Sequence, residues 1–234
     1  MILHNALELT GYFVGVLLYS WLRARRGDTV SDRARLDVII GAAIGAATGA
    51  RLLWWLGEPG VPINQILHGK TIVGGLLGGW IGVELVKKVR GIRSSTGDLF
   101  VFPLITAMSI GRIGCFLAGP ADHTAGNPSS LPWAIAMGDP VRRHPVALYE
   151  IAFLLLFGAA LLLLEQRAAF ASGDRFKIFL SGYLAFRLAV DFIKPFPVPI
   201  FGGLSAIQWA CVAGLTYYAA HFARRIAIPT KVTA

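Results

Sequence analysis

Seven apolar stretches, each of roughly the length that crosses a bilayer, constrain this chain more than any other feature. They run over 6–22, 38–56, 69–86, 99–116, 146–165, 176–193 and 205–223. A span needs about 20 mostly apolar residues. The composition agrees: of 234 residues, 55% are hydrophobic and only 15% charged, where a soluble domain carries about 25% charged residues. Disorder, a secreted disulfide scaffold and an ordinary soluble enzyme are excluded. The 27 glycines follow no G-x-y period, so collagen is excluded too. The expected fold is all-α, a single transmembrane domain over 1–234 with seven transmembrane helices. The third and fourth stretches are rich in glycine, which lets helix backbones approach closely.

The lysines and arginines orient these helices. Met1–Asn5 has no lysine or arginine to make a basic n-region and Glu8 opens the first stretch, so no cleavable signal is expected and the first helix stays. Alternate connections then carry Arg23, Arg25, Arg26, Arg33 and Arg35; Lys87, Lys88, Arg90 and Arg93; Arg167, Arg175 and Lys177; and Arg224, Arg225 and Lys231. Those fifteen residues face three on the other side: Arg142, Arg143 and Lys194. The positive-inside rule places the N-terminus outside and the C-terminus in the cytoplasm. It also absorbs the net charge of +9, so no nucleic-acid partner is expected.

Four basic residues remain inside the apolar stretches: Arg51, Lys70, Arg112 and Arg187. A charge deep in a bilayer costs at least about 2.5–3.5 kcal/mol on the insertion scale and commonly marks function. The threading puts all four in the outer half of the membrane. Snorkelling, or pairing with Glu8, Glu150 or Asp191, is the structural alternative. Their positive surplus otherwise suits an anion, and a phospholipid phosphate is the expected one. The Gly/Pro/Ser/Asn-rich outer loop, 117–145, lies above this level and ends in Arg142, Arg143 and His144. The run KTIVGGLLGG from Lys70 lacks the GxxxxGK[ST] order, so no nucleotide site is expected. Cys115 and Cys211 have no metal spacing and form no disulfide framework. They read as buried small residues, or as a pair if their helices pack together. No metal and no cofactor are expected.

Gly111-Arg112-Ile113-Gly114-Cys115-Phe116 resembles the GRIGNF signature of the bacterial prolipoprotein diacylglyceryl transferase family. Further segments resemble that family in order. Gly49-Ala50-Arg51-Leu52 is similar to GARLGY, and Gly74-Gly75-Leu76-Leu77-Gly78 to HGGLIG. Asp98 with Phe102-Pro103 resembles DxxAP, and Leu131-Pro132-Trp133-Ala134 resembles LPWA. Arg143-His144-Pro145 with Leu148-Tyr149-Glu150 resembles RHPxQLYE. Tyr183, Arg187 and Asp191 match YxxxRxxxE, and Gly203-Leu204-Ser205 with Gln208-Trp209 matches GLSxxQW. Several positions depart. Val73 stands where the family has a catalytic histidine, Cys115 where it has asparagine, and Ala118 and Pro120 where it has NGE. The RWYG of helix 1 is reduced to Thr10-Gly11, and the outer region is short. The retained glycines after Val73 predict a backbone that still admits an imidazole there.

The resemblance implies transfer of the diacylglyceryl group of phosphatidylglycerol, or a similar anionic phospholipid, to a lipobox cysteine thiol, with release of glycerol phosphate. The implied partners are that lipid and preprolipoprotein signal peptides. The implied location is the bacterial cytoplasmic membrane, with the site facing the outer leaflet. Arg112 and Arg187 are the expected phosphate-stabilising guanidiniums and Tyr183 a donor or proton relay. Lys70, then His68, stand in as the expected base. Arg51, Gly74, Gly75, Gly111, Gly114, Cys115, Arg143, His144, Glu150 and Asp191 are expected to bind substrate. Two alternatives stay open: a related membrane transferase with a different acceptor, and a non-catalytic lipid-binding protein on the same scaffold.

Overall fold

A computed structural model describes residues 2–119, 125–167, 170–195 and 199–227. Seven α-helices form at the seven apolar stretches: α1 (Ile2–Arg26), α2 (Asp32–Leu56), α3 (Ile72–Arg90), α4 (Val101–Ala118), α5 (Val146–Arg167), α6 (Asp174–Val190) and α7 (Ala206–Ala227). Between α4 and α5 a short antiparallel ribbon pairs β1 (Ile135–Ala136) with β2 (Arg142–Arg143). No apolar periodicity announces this ribbon in the sequence. Pro120, Lys231 and the side chain of Arg225 lie outside the described residues.

By length and composition, α2, α4 with its preceding turn, and α5 are long and apolar enough to cross a membrane. The remaining helices are shorter or more charged: α6 has 17 residues and carries Arg187. Helix α3 starts later than the apolar pattern predicts. Thr71 is its N-cap, accepting a hydrogen bond from the Gly74 N–H at 3.1 Å. The capping hydroxyl and the glycine pair fix the start at Ile72, so His68 and Lys70 belong to the preceding connection rather than to a span.

Close glycine packing joins α2 to α3. A Cβ at Gly45, Gly49 or Gly82 would run into the carbonyl oxygen of Gly78, Gly74 or Gly41. These backbones touch, and any side chain would part them. The core runs through Val73, Val101, Leu154, Leu161, Phe179, Leu180, Leu184 and Cys211. Phe13, Val16, Ile44, Leu156 and Leu163 instead point outward. Apolar residues on both faces are what a lipid-embedded bundle requires.

The helices alternate in direction, which gives the bundle two unlike ends. At one, Arg35 is 1% exposed; it pairs with Asp28 and donates to the Thr96 carbonyl at 3.0 Å. Nearby, Asp98 accepts from the Gly173 and Phe176 N–H groups at 2.6 and 3.0 Å, tying the start of α6 to the turn before α4. The opposite end gathers the start of α5 and the ends of α4 and α6. It holds the residues the sequence singles out.

Candidate active site

Three helices bring four side chains to one buried point. On α6, Tyr183 and Arg187 are four residues apart and Asp191 follows four later, so all three share a face. Arg112 projects from the last turns of α4 and Glu150 from the first turns of α5. Glu150 Oε2 lies 2.9 Å from Arg112 Nε and 3.6 Å from Arg187 Nη1. Tyr183 donates its hydroxyl to Glu150 Oε1 at 2.7 Å, and Arg187 Nη2 donates to Asp191 Oδ1 at 2.8 Å. Arg112 Nη1 reaches the Cys115 sulfur at 3.6 Å. Glu150 and Tyr183 are 0% exposed, Arg187 4% and Arg112 7%.

Buried charges survive only when paired and hydrogen-bonded. This cluster is paired, yet it is not fully hydrogen-bonded. Arg187 Nε and Nη1 and Arg112 Nε are buried and make no hydrogen bond among the described residues. The approaches of Arg112 and Arg187 to Glu150 Oε2 are charge contacts without hydrogen-bond alignment. The unbonded Arg187 Nε beside a second buried guanidinium suits a planar or tetrahedral oxyanion.

The four intramembrane cations expected from the sequence divide into two groups. Arg112 and Arg187 meet at Glu150. Lys70 instead meets Glu8 of α1, with Nζ 2.5 and 2.6 Å from its two carboxylate oxygens. Tyr12 donates to the same Glu8 at 2.7 Å. Arg51 donates to the Ala47 carbonyl of its own helix at 3.0 Å. Lys70 therefore bridges α1 to the connection before α3. His68 is exposed, with Nδ1 3.0 Å from the Gln65 carbonyl. Val73 is 1% exposed within the core.

The other expected site residues are scattered. Arg143 pairs with Asp139 at 2.6 Å beside the ribbon. The His144 ring and Trp133 Nε1 both meet the Tyr149 hydroxyl, at 3.2 and 2.8 Å. Gly74 packs on Gly49, and Gly114 lies against His4 of α1, so both are helix contacts. Gly75 and Gly111 face looser space. Cys115 and Cys211 form no disulfide among the described residues. Ser205 and Gln208 cap α7 reciprocally, at 2.9 and 3.1 Å, which gives the S-x-x-Q spacing a structural role. Sequence reasoning counted Lys194 only as a loop charge. Its i+7 spacing from Arg187 continues the α6 face through the turn at Asp191.

The family model described as prolipoprotein diacylglyceryl transferase matches residues 5–224. This chain belongs to the prolipoprotein diacylglyceryl transferase family. A relative from Methylococcus capsulatus is 33% identical over 245 residues, covering 92% of this chain and 90% of its own. A relative from Bordetella avium is 32% identical over 214 residues, covering 84% and 80%. Both are named phosphatidylglycerol–prolipoprotein diacylglyceryl transferase. The buried Arg112–Glu150–Arg187–Tyr183 cluster is thus assembled from three of the segments through which this chain resembles the transferase family.

Proposed function

We propose that this chain transfers the diacylglyceryl group of phosphatidylglycerol to the lipobox cysteine of a prolipoprotein. The observation that carries this reading is the burial of two guanidiniums, Arg112 and Arg187, on the one carboxylate of Glu150, with Arg187 Nε left unbonded. The cysteine thiol passes its proton to water, the sulfur attacks the glyceryl carbon, and the carbon–oxygen bond to phosphate breaks. The electron pair leaves on the phosphate oxygen, and glycerol phosphate departs. Arg112 and Arg187 hold the phosphate and stabilise the charge that grows on it, in a setting where fixed donors act most strongly. Glu150 holds both guanidiniums in place and orients the Tyr183 hydroxyl. Buried guanidiniums against a carboxylate need no metal to bind an anion.

The end of the bundle bearing Arg35, Lys87, Arg90 and Arg175 faces the cytoplasm in this reading. All seven helices span the bacterial cytoplasmic membrane, with the cluster toward the outer leaflet. Membrane-impermeant maleimide added outside labels a cysteine placed in 125–130 and spares one placed in 91–95. The reverse pattern overturns the orientation.

Release of glycerol phosphate by the purified chain tests the reaction. Release that depends on a lipobox peptide supports it. Val73, buried where the family has histidine, favours one second reading: the same lipid with another acceptor. Release with a different thiol or hydroxyl acceptor, and not with the peptide, establishes that reading. No release with any acceptor leaves lipid binding alone.

A further inference from the structure

The charges at the site end do not balance. Glu150 and Asp191 offset Arg112 and Arg187, two carboxylates against two guanidiniums. Lys194 lies just beyond, past the end of α6 and its following turn, in extended backbone. Its own N–H caps that turn on the Asp191 carbonyl at 3.3 Å, and the carbonyl just before it, Ile193, accepts the Asn127 N–H of the outer loop at 2.8 Å. The residue is therefore pinned between bundle and loop. Its ammonium is half-buried and makes no hydrogen bond or ion pair among the described residues.

Resting on the transferase reading above, we propose that Lys194 supplies the unneutralised positive charge that holds the lipid phosphate over the Arg112–Glu150–Arg187 cluster. The charged groups within electrostatic reach of it are Arg187 and Asp191 from α6 and its turn, Arg112 from α4 and Glu150 from α5. His144 and Tyr149 stand where the outer loop enters α5. Burial, with Arg187 and Arg112 nearby, lowers the ammonium's pKa to about 8 despite Asp191 and Glu150. A phosphodiester keeps its single negative charge throughout this range and favours the charged amine. Binding therefore takes up a proton wherever the empty site has lost one, and affinity falls as pH rises through about 8.

The test measures binding of short-chain phosphatidylglycerol to the full chain in detergent across pH 6.5–9.5, with inorganic phosphate and phosphatidylcholine as comparison ligands. The wild type binds phosphatidylglycerol with affinity level below pH 7 and declining above 8. Lys194→Arg keeps its charge throughout and binds with a flat profile. Lys194→Met loses affinity about tenfold or more at pH 7. Matching profiles in the wild type and Lys194→Arg overturn the inference, as does unchanged affinity in Lys194→Met. Lys194→Arg that binds with a flat profile but transfers nothing upholds the binding charge and adds a proton-transfer role for the amine. Lys194-dependent binding of inorganic phosphate without phosphatidylglycerol removes the lipid as the ligand. Lys194-dependent lipid binding by a wild type that transfers nothing upholds the inference and removes the transferase reading instead.

Discussion

Glu150 Oε2 sits 2.9 Å from Arg112 Nε at a point where the carboxylate is wholly excluded from solvent. The same oxygen is 3.6 Å from Arg187 Nη1, so one carboxylate from α5 holds cations from two other helices. Removing one partner of a buried charge pair costs about 3–5 kcal/mol, because the other charge stays buried and unpaired. Glu150→Ala is expected to lower the detergent-solubilised unfolding temperature well below that of Tyr183→Phe. The latter loses one hydrogen bond to a charged group, about 1.5–3 kcal/mol. Equal unfolding temperatures for the two variants would show that Glu150 does not unite the helices.

The guanidiniums differ in what else holds them. Arg187 also bonds Asp191, whereas Arg112 has the Cys115 sulfur. Each Arg→Ala change is expected to cut turnover about 10²–10³-fold, the effect of losing one preorganised donor. Arg187→Lys is expected to stay severely impaired, since a point charge does not reproduce the planar fork. Lipid turnover by the folded variants checks this. Near-normal turnover in Arg187→Ala would reduce that residue to a packing partner of Asp191.

At the other end, acid should loosen the fold through Asp28, in the connection between α1 and α2. Burial pushes its pKa up, but hydrogen bonds from Arg35 and Arg23 outweigh burial and bring it down from the ordinary 3.8 to about 2. A carboxyl whose folded pKa is depressed contributes stability above its unfolded value and loses it as pH falls through the folded one. The wild type should therefore lose stability progressively from about pH 4 to pH 2. Asp28→Asn should start less stable and change less over that window. Unfolding temperatures against pH decide it, and parallel curves would mean Asp28 contributes nothing.

Much of this fold is legible in the sequence because lipid imposes one rule on every span. The seven apolar stretches become seven helices, with ends displaced by capping chemistry, as at Thr71. The meeting of Arg112 with Arg187 and Glu150 is harder to read. Depth can be counted along each helix, but which helices adjoin depends on packing that no spacing within a single helix encodes. Depth alone joins Lys70 and Arg51 to the same site, while the fold gives Lys70 to Glu8 instead. The ribbon at 135–136 and 142–143 and the place of Lys194 are likewise tertiary outcomes.

Lys70 supplies the sharpest contrast between sequence and structure. Its position three residues before Val73 makes it the natural substitute for the missing histidine. The fold places it outside α3, 57% exposed, with its ammonium between both oxygens of Glu8. An exposed pair of this kind contributes at most about 1 kcal/mol, so Lys70→Ala should barely shift the unfolding temperature. It should also leave the pH profile of transfer unchanged and lower its rate less than tenfold, against the 10²-fold or more that loss of a general base costs. Val73→His should not raise transfer, because that side chain is 1% exposed and packed in the apolar core, where a larger polar ring has to displace its neighbours. Abolished transfer in Lys70→Ala, recovered in part by adding Val73→His, would return the base to this stretch of the chain. It would mean that the connection before α3 turns Lys70 toward the reacting thiol once lipid is bound.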